Sequence, residues 1–186
     1  MTALDDRTFA VASKLAAWIA ADGARSAVIG AVALAAHGHV RATRDLDLAT
    51  ELDPSIQLRD LAAKARAEGW TAELEMPDRD DPLGGVLTVT GEDFEPVQVV
   101  NFHNPFSTTP NPGREALVGA LPLRGAPGLK VVRVEDLVLL KLYAGGLKGL
   151  ADVQALLMAH PEVDLDQLRE RAARFGLERD LDRALA

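Results

Sequence analysis

Two carboxylates, Asp45 and Asp47, flank Leu46 in the run RATRDLDLAT. On an extended segment, residues two apart project from the same face. Their Cα atoms then lie roughly 6–7 Å apart, so both side chains can reach one metal ion. Gly30 precedes them, between the β-branched run Ser26 to Ile29 and the Ala/Leu-rich run Ala31 to His37. A glycine at a strand-to-helix turn lets a phosphate approach the backbone, and the free N–H groups of a helix start attract anions. Hard oxygen ligands favour Mg²⁺ (or Mn²⁺), which keeps several waters and takes substrate phosphates as further ligands. Metal so held can activate an attacking oxygen and neutralise a leaving pyrophosphate. The chemistry indicated is nucleotidyl or phosphoryl transfer.

Other polar residues have plainer readings. His37 and His39 flank a glycine and are expected to close a helix rather than to bind metal. His103 and Asn104 open a Pro- and Asn-rich loop, 103–113, too long for a tight turn. Trp18, Trp70 and Phe102 read as core. Lys148 and Asp152 stand at i and i+4, where a helical ion pair forms.

The elements that must position the acidic pair follow from periodicity. Residues 6–21 form an amphipathic helix stopped by Asp22-Gly23, and Ser26 to Ile29 a buried strand. A short helix runs to His37, and Asp45 to Ala49 forms a half-buried strand. A second long helix spans Pro54 to Glu68, with Ile56, Leu58, Leu61, Ala62 and Ala65 inward. Strands are predicted over Thr71 to Glu75, Val86 to Thr90, Pro96 to Phe102, Leu117 to Leu123 and Leu129 to Val134. Beyond Glu135 only helices remain: Glu135 to Tyr143, Leu147 to Ala159, Leu165 to Phe175 and Leu177 to Leu185. The fold class is α+β, a mixed sheet flanked by helices, with residues 1–134 as core and 135–186 as a C-terminal helical subdomain.

Composition sets outer bounds. Of 186 residues, 48% are hydrophobic and 26% charged, as in an ordinary globular protein. No apolar run is long enough for a membrane span, and the acidic N-terminus is unlike a signal peptide. The absence of cysteine excludes disulfides and thiolate metal sites, and a cytoplasmic location is expected. With 28 acidic against 20 basic residues the formal charge is −8, which disfavours broad binding to nucleic acid but leaves room for a local basic patch. Abundant Ala, Leu, Arg and Asp with little Lys suits a GC-rich bacterial genome.

Ile29-Gly30-Ala31, a thirteen-residue spacer and Asp45-Leu46-Asp47-Leu48 resemble the first motif of the polymerase-β-like nucleotidyltransferase superfamily. Within it, RATRDLDL and the later VVRVEDLVLLKLYAGGLKGLADVQALL resemble the AbiEii-type branch, which includes toxins of abortive-infection systems. The resemblance implies a nucleotidyltransferase-like fold and NTP as substrate. It also implies metal at Asp45 and Asp47, and phosphate contacts at Gly30 and Ala31. Lys141 would face the triphosphate, with Lys148 and Asp152 at the cleft rim. Arg44 could contact a phosphate or pair with Asp45.

Three positions depart from the pattern. Ala31 replaces a Gly or Ser, and Gly149 stands where the branch has an acid. Gln98 occupies the place of the third carboxylate, the candidate to deprotonate the attacking hydroxyl. A glutamine can coordinate but cannot accept a proton at neutral pH. Asp93 and Glu95 could substitute only if the strand bends or shifts register. The expected activity is transfer of a nucleoside monophosphate from NTP to an acceptor hydroxyl on tRNA, protein or a small molecule. A toxin would imply a cognate antitoxin as partner. The alternative is a catalytically degenerate member that binds nucleotide or another protein. An aminoglycoside-type transferase is a third reading.

Overall fold

The computed structural model describes residues 4–186. Helix α1 (Asp6–Ala21) is capped by Asp5, whose carboxylate accepts from the Thr8 backbone N–H at 2.8 Å and the Thr8 hydroxyl at 2.7 Å. Val11, Leu15 and Ile19 recur at helical spacing and are buried. Strand β1 (Ser26–Val28) runs straight into α2 (Gly30–Ala36), and β2 (Leu46–Thr50) returns antiparallel to β1. After α3 (Gln57–Ala67) come β3 (Thr71–Glu75), β4 (Val86–Thr90) and β5 (Val97–Asn101). Helix α4 (Gly113–Gly119) and the short β6 (Leu121–Pro122) and β7 (Lys130–Val131) lead to four helices: α5 (Val134–Ala144), α6 (Gly146–Ala159), α7 (Leu165–Arg174) and α8 (Glu178–Leu185).

The strands form one sheet in the order β3-β4-β5-β2-β1-β7-β6. β2 pairs parallel with β5, and β1 parallel with β7; the other pairs are antiparallel. Burial alternates along the strands. Val97 and Val99 of β5 and Leu87 and Val89 of β4 are sealed, while Gln98, Val100, Thr88 and Thr90 between them are half-exposed. One face of this half of the sheet is therefore fully covered, and the other stays partly open. α5 is buried on nearly every side, through Leu137, Val138, Leu139, Leu140 and Leu142. It anchors the C-terminal helical subdomain. No described helix is long and apolar enough to cross a membrane.

The α+β architecture follows the sequence expectation; three local readings are corrected. Leu117 lies in α4, not in a strand, and β6 keeps only two residues of the predicted run. Gly113, Ala116 and Leu117 are buried at i, i+3 and i+4, a helical pattern masked by the continuous apolar run. Ile56 is 63% exposed, because Pro54 to Ile56 form a turn and α3 begins only at Gln57. Trp18 and Trp70 sit at the core margin with ring centroids 6.0 Å apart, whereas Phe102 is buried.

Candidate functional site

Asp45 immediately precedes β2 and Asp47 is its second residue. The Thr43 hydroxyl donates to the Asp45 carboxylate, fixing the approach to the strand. Gly30 opens α2 at φ +64°, and a Cβ there would lie 1.8 Å from Asp47 Oδ2. This glycine therefore seats the Asp47 carboxylate as well as making the turn. Ala31 beside it buries its side chain, leaving only its backbone to face a ligand. A prediction follows from the contact. Gly30→Ala should cost about 1–3 kcal/mol, from the left-handed φ and the displaced carboxylate. In an Asp47→Ala background part of that cost should vanish, as a double-mutant cycle by chemical denaturation would read. Equal costs in both backgrounds would refute the coupling.

Burial pushes the Asp47 carboxyl up to about 6, and the neighbouring Asp45 charge adds to the rise, against the opposing pull of Lys141 and Arg41. Two adjacent carboxylates with one reluctant to ionise are poised to exchange a proton for a cation.

Lys141, the lone cation of buried α5, directs Nζ to Asp152 Oδ2 at 2.9 Å, with 14% of its side chain exposed. Asp152 on α6 points inward and is 4% exposed. Its Oδ2 also meets Arg41 at 3.4 Å, and its Oδ1 lies 4.0 Å from His39 Nε2. Asp152 thus pairs across to α5 and the α2–β2 loop, while Lys148 is exposed on the outer side of α6. Gly149 is explained by packing, since a Cβ there would lie 2.8 Å from the Lys141 carbonyl oxygen. An acid at that position would force α6 away from α5. Arg44 is exposed, and among the described residues it forms none of these ion pairs. His37 closes α2, as expected, and its Nε2 lies 2.7 Å from the Val132 carbonyl oxygen.

The register of β2 against β5 sets Asp47 directly beside Gln98. Thr88 on β4 and Glu73 on β3 continue the row. Asp93 is drawn to Arg7 of α1 at 3.0 Å, and the Glu95 backbone N–H donates to Thr8 Oγ1 at 3.0 Å. Neither substitutes for an acid at position 98. Among the described residues no group of three His, Cys, Asp or Glu could hold a metal ion. The donor set is two carboxylates and one amide oxygen. That suits a hard cation retaining several waters, and it does not make a closed protein cage.

An apolar cavity of about 400 Å³ runs from Gly30 and Asp47 beneath α5, walled by Val100, Phe102, Leu137 and Tyr143. The Tyr143 hydroxyl donates to the Pro82 carbonyl at 3.2 Å, bridging α5 to the β3–β4 connection. His103 is exposed. Asn104 is buried, its Nδ2 donating to the Asp78 and Asp81 carbonyls at 2.9 and 2.7 Å, which gives it a loop-fastening role.

Sequence reasoning missed Arg41, His39 and Tyr143 as members of this cleft. For Arg41 the available signal was its position four residues before Asp45, inside the same motif run. Nothing local announced the other two.

No family model matches the chain, and no curated protein matches it. Solved structures do share its fold. The solution structure of the antibiotic-resistance factor ANT(2'')-Ia is 13% identical, covering 98% of this chain and 96% of that chain, with a TM-score of 0.56. The crystal structure of ANT(2'')-Ia in complex with adenylyl-2''-tobramycin is 14% identical over 90% of this chain and 97% of that one, at 0.54. An antigenic nucleotidyltransferase-like protein from Paracoccidioides brasiliensis is 17% identical over 98% and 93%, also at 0.54. At these identities the likeness shows a shared fold. The likeness does not single out the AbiEii-type branch.

Proposed function

We propose that the cleft between β2, α5 and α6 binds a nucleoside triphosphate with Mg²⁺, in a nucleotidyltransferase-fold protein whose transfer step is weakened. The observation that carries this reading is the pairing of Asp47 with Gln98, which places an amide where a proton acceptor would stand. Asp45 and Asp47 would hold the cation, and Gln98 could add its amide oxygen. When bound, Mg²⁺ would neutralise phosphate charge and polarise the bond to the leaving pyrophosphate. Gly30 and Ala31 would lie along the phosphates, with Lys141 above them and Lys148 at the rim. The apolar cavity beneath α5 suits the flat face of a nucleobase.

A second reading is an active enzyme that passes a nucleoside monophosphate to a hydroxyl of tRNA, a protein or a small molecule. Its support is the assembly of Asp45, Asp47 and Lys141 in one cleft, together with the AbiEii-type motif run. That run also supports a toxin partnered by an antitoxin. Labelled NTPs, Mg²⁺ and tRNA or lysate separate the two. The proposal expects NTP binding that is lost in Asp45→Ala/Asp47→Ala, with little pyrophosphate released. It further expects Gln98→Asp to raise release by about 10²-fold or more, the usual scale of a general base. Rapid release by wild type, with no gain in Gln98→Asp, would favour the active enzyme. No NTP binding would sink both.

A further inference from the structure

Helix α6 is held to the rest of the molecule by one side. Gly149, Asp152, Val153 and Leu156 are buried, and spacings of three and four set them together on its inner face. The opposite face carries Leu147, Ala151, Gln154 and Met158, all exposed. Leu147 at 82% and Met158 at 84% are the most exposed large hydrophobic side chains among the described residues. The chain is 26% charged, yet α6 turns a single charge, Lys148, to solvent. A groove of about 460 Å³ beside Met158, walled by Leu157, Val163, Leu165 and Leu185, continues this face toward α8. Surface helices carry polar residues outward, so a contiguous apolar stripe marks an interface.

Spacing and charge decide what covers it. The stripe 147-151-154-158 advances by four, three and four residues, the same pattern in either direction. Two copies of α6 laid antiparallel about a two-fold axis therefore set Leu147 against the partner's Met158 and Ala151 against the partner's Gln154, at both ends at once. A two-fold contact requires that self-complementarity. The small Ala151 near the axis lets the two helices approach closely. Lys148 stands in the first turn of α6, at the unfavourable positive end of its own helix dipole, and the last turn holds no cation. Antiparallel pairing brings each Lys148 to the carbonyl end of the other helix, where its charge is favourable.

We propose that the outer face of α6 is the two-fold interface of a homodimer, formed by antiparallel pairing of α6 with a second copy of itself. The inference is independent of the nucleotide-binding reading, because Asp152 and its partners lie on the inner side of the helix. One helix pair stands at the small end of specific interfaces, so association in the micromolar range is expected.

Sedimentation velocity of the full chain, in a series spanning the micromolar range, tests this. Wild type should pass from monomer to dimer. Met158→Glu puts a charge into two symmetric apolar contacts and should weaken the dimer by about tenfold or more. Ile56→Glu, at an exposed apolar position before α3, should leave it unchanged. Lys148→Glu should separate helix from dimer. Glutamate suits the first turn of its own helix and should raise the thermal midpoint of dilute protein, while meeting the partner's carbonyl end and weakening the dimer by about tenfold. The absence of cysteine lets disulfides read the register. Leu147→Cys and Met158→Cys chains should cross-link when mixed. Neither should cross-link alone, because its two copies lie roughly 16 Å apart along the pair. A monomer throughout the series would overturn the proposal and assign the face to a different protein. A dimer indifferent to Met158→Glu, or cross-linked by either cysteine alone, would overturn it equally.

Discussion

Replacing Asp47 by asparagine is expected to raise the thermal midpoint at neutral pH and to abolish the response to Mg²⁺. The Asp47 carboxyl is raised from 3.8 to about 6, first by burial and then by Asp45, which corresponds to about 3 kcal/mol. Between those values the native state holds a proton that the unfolded chain has released. Stability therefore falls as pH rises from about 4 to about 6, and the loss is complete above that window. Asparagine has no charge to bury and escapes the loss. For a chain of this size the gain should be about 6–12 °C above pH 6, shrinking to nothing near pH 4. Mg²⁺ needs the ionised pair, so it should stabilise wild type above pH 6, by about 2.7 kcal/mol at a hundredfold excess over Kd. It should do little at pH 5. Parallel pH profiles of wild type and Asp47→Asn would show that this carboxylate carries no such strain. Equal stabilisation of both by Mg²⁺ would move the metal elsewhere.

Asp136→Ala should cost about 3–5 kcal/mol, the range for breaking a buried ion pair from one side. The Asp136 side chain is fully buried and accepts from Arg133 Nε at 2.8 Å and from Arg171 NH2. Arg171 also meets Glu115 at 3.2 Å, and Arg174 meets the other oxygen of Glu115 at 2.8 Å. One carboxylate thus ties α5 to α7, and Glu115 extends the tie to α4. Alanine at 136 leaves Arg171, which is only 17% exposed, with the partly exposed Glu115 as its remaining partner. Replacing Asp136 and its buried partner by apolar residues, as in Asp136→Leu with Arg171→Met, should recover most of the loss, because the charge left without Asp136 is the half-exposed Arg133, while Glu115 keeps Arg174. Urea midpoints read both variants. A single-variant cost below about 1 kcal/mol would show the network to be incidental.

This anchor also shows how a motif can be legible without its reason. The Glu135-Asp136-Leu137 helix start was visible in the sequence as part of a resemblance. Only the packing of α7, whose partner residue lies at 171, shows that Asp136 serves the fold rather than the cleft. Gly149 is similar. It reads in sequence as a missing acid, and in the structure as the point where α6 touches the α5 backbone.

The sequence alone determined what is local. The i, i+2 spacing of Asp45 and Asp47 sets their common face, because strand periodicity needs no tertiary context. Gly30 and most element positions are local in the same way, as is the helical run after residue 135. Where an apolar run was continuous, at 116–120, periodicity could not separate the two element types, and helix α4 was read as strand. Tertiary structure decided what depends on segments far apart in the chain. Cross-strand register put Gln98 beside Asp47. Packing of α6 on α5 turned Asp152 inward to Lys141 and away from Lys148. The path of the loop before β2 left Arg41 half-buried against Asp152 and Arg44 exposed. The direction of a loop or rim side chain is fixed by whatever neighbour seals it. That neighbour is chosen by the fold and not by the residues next door.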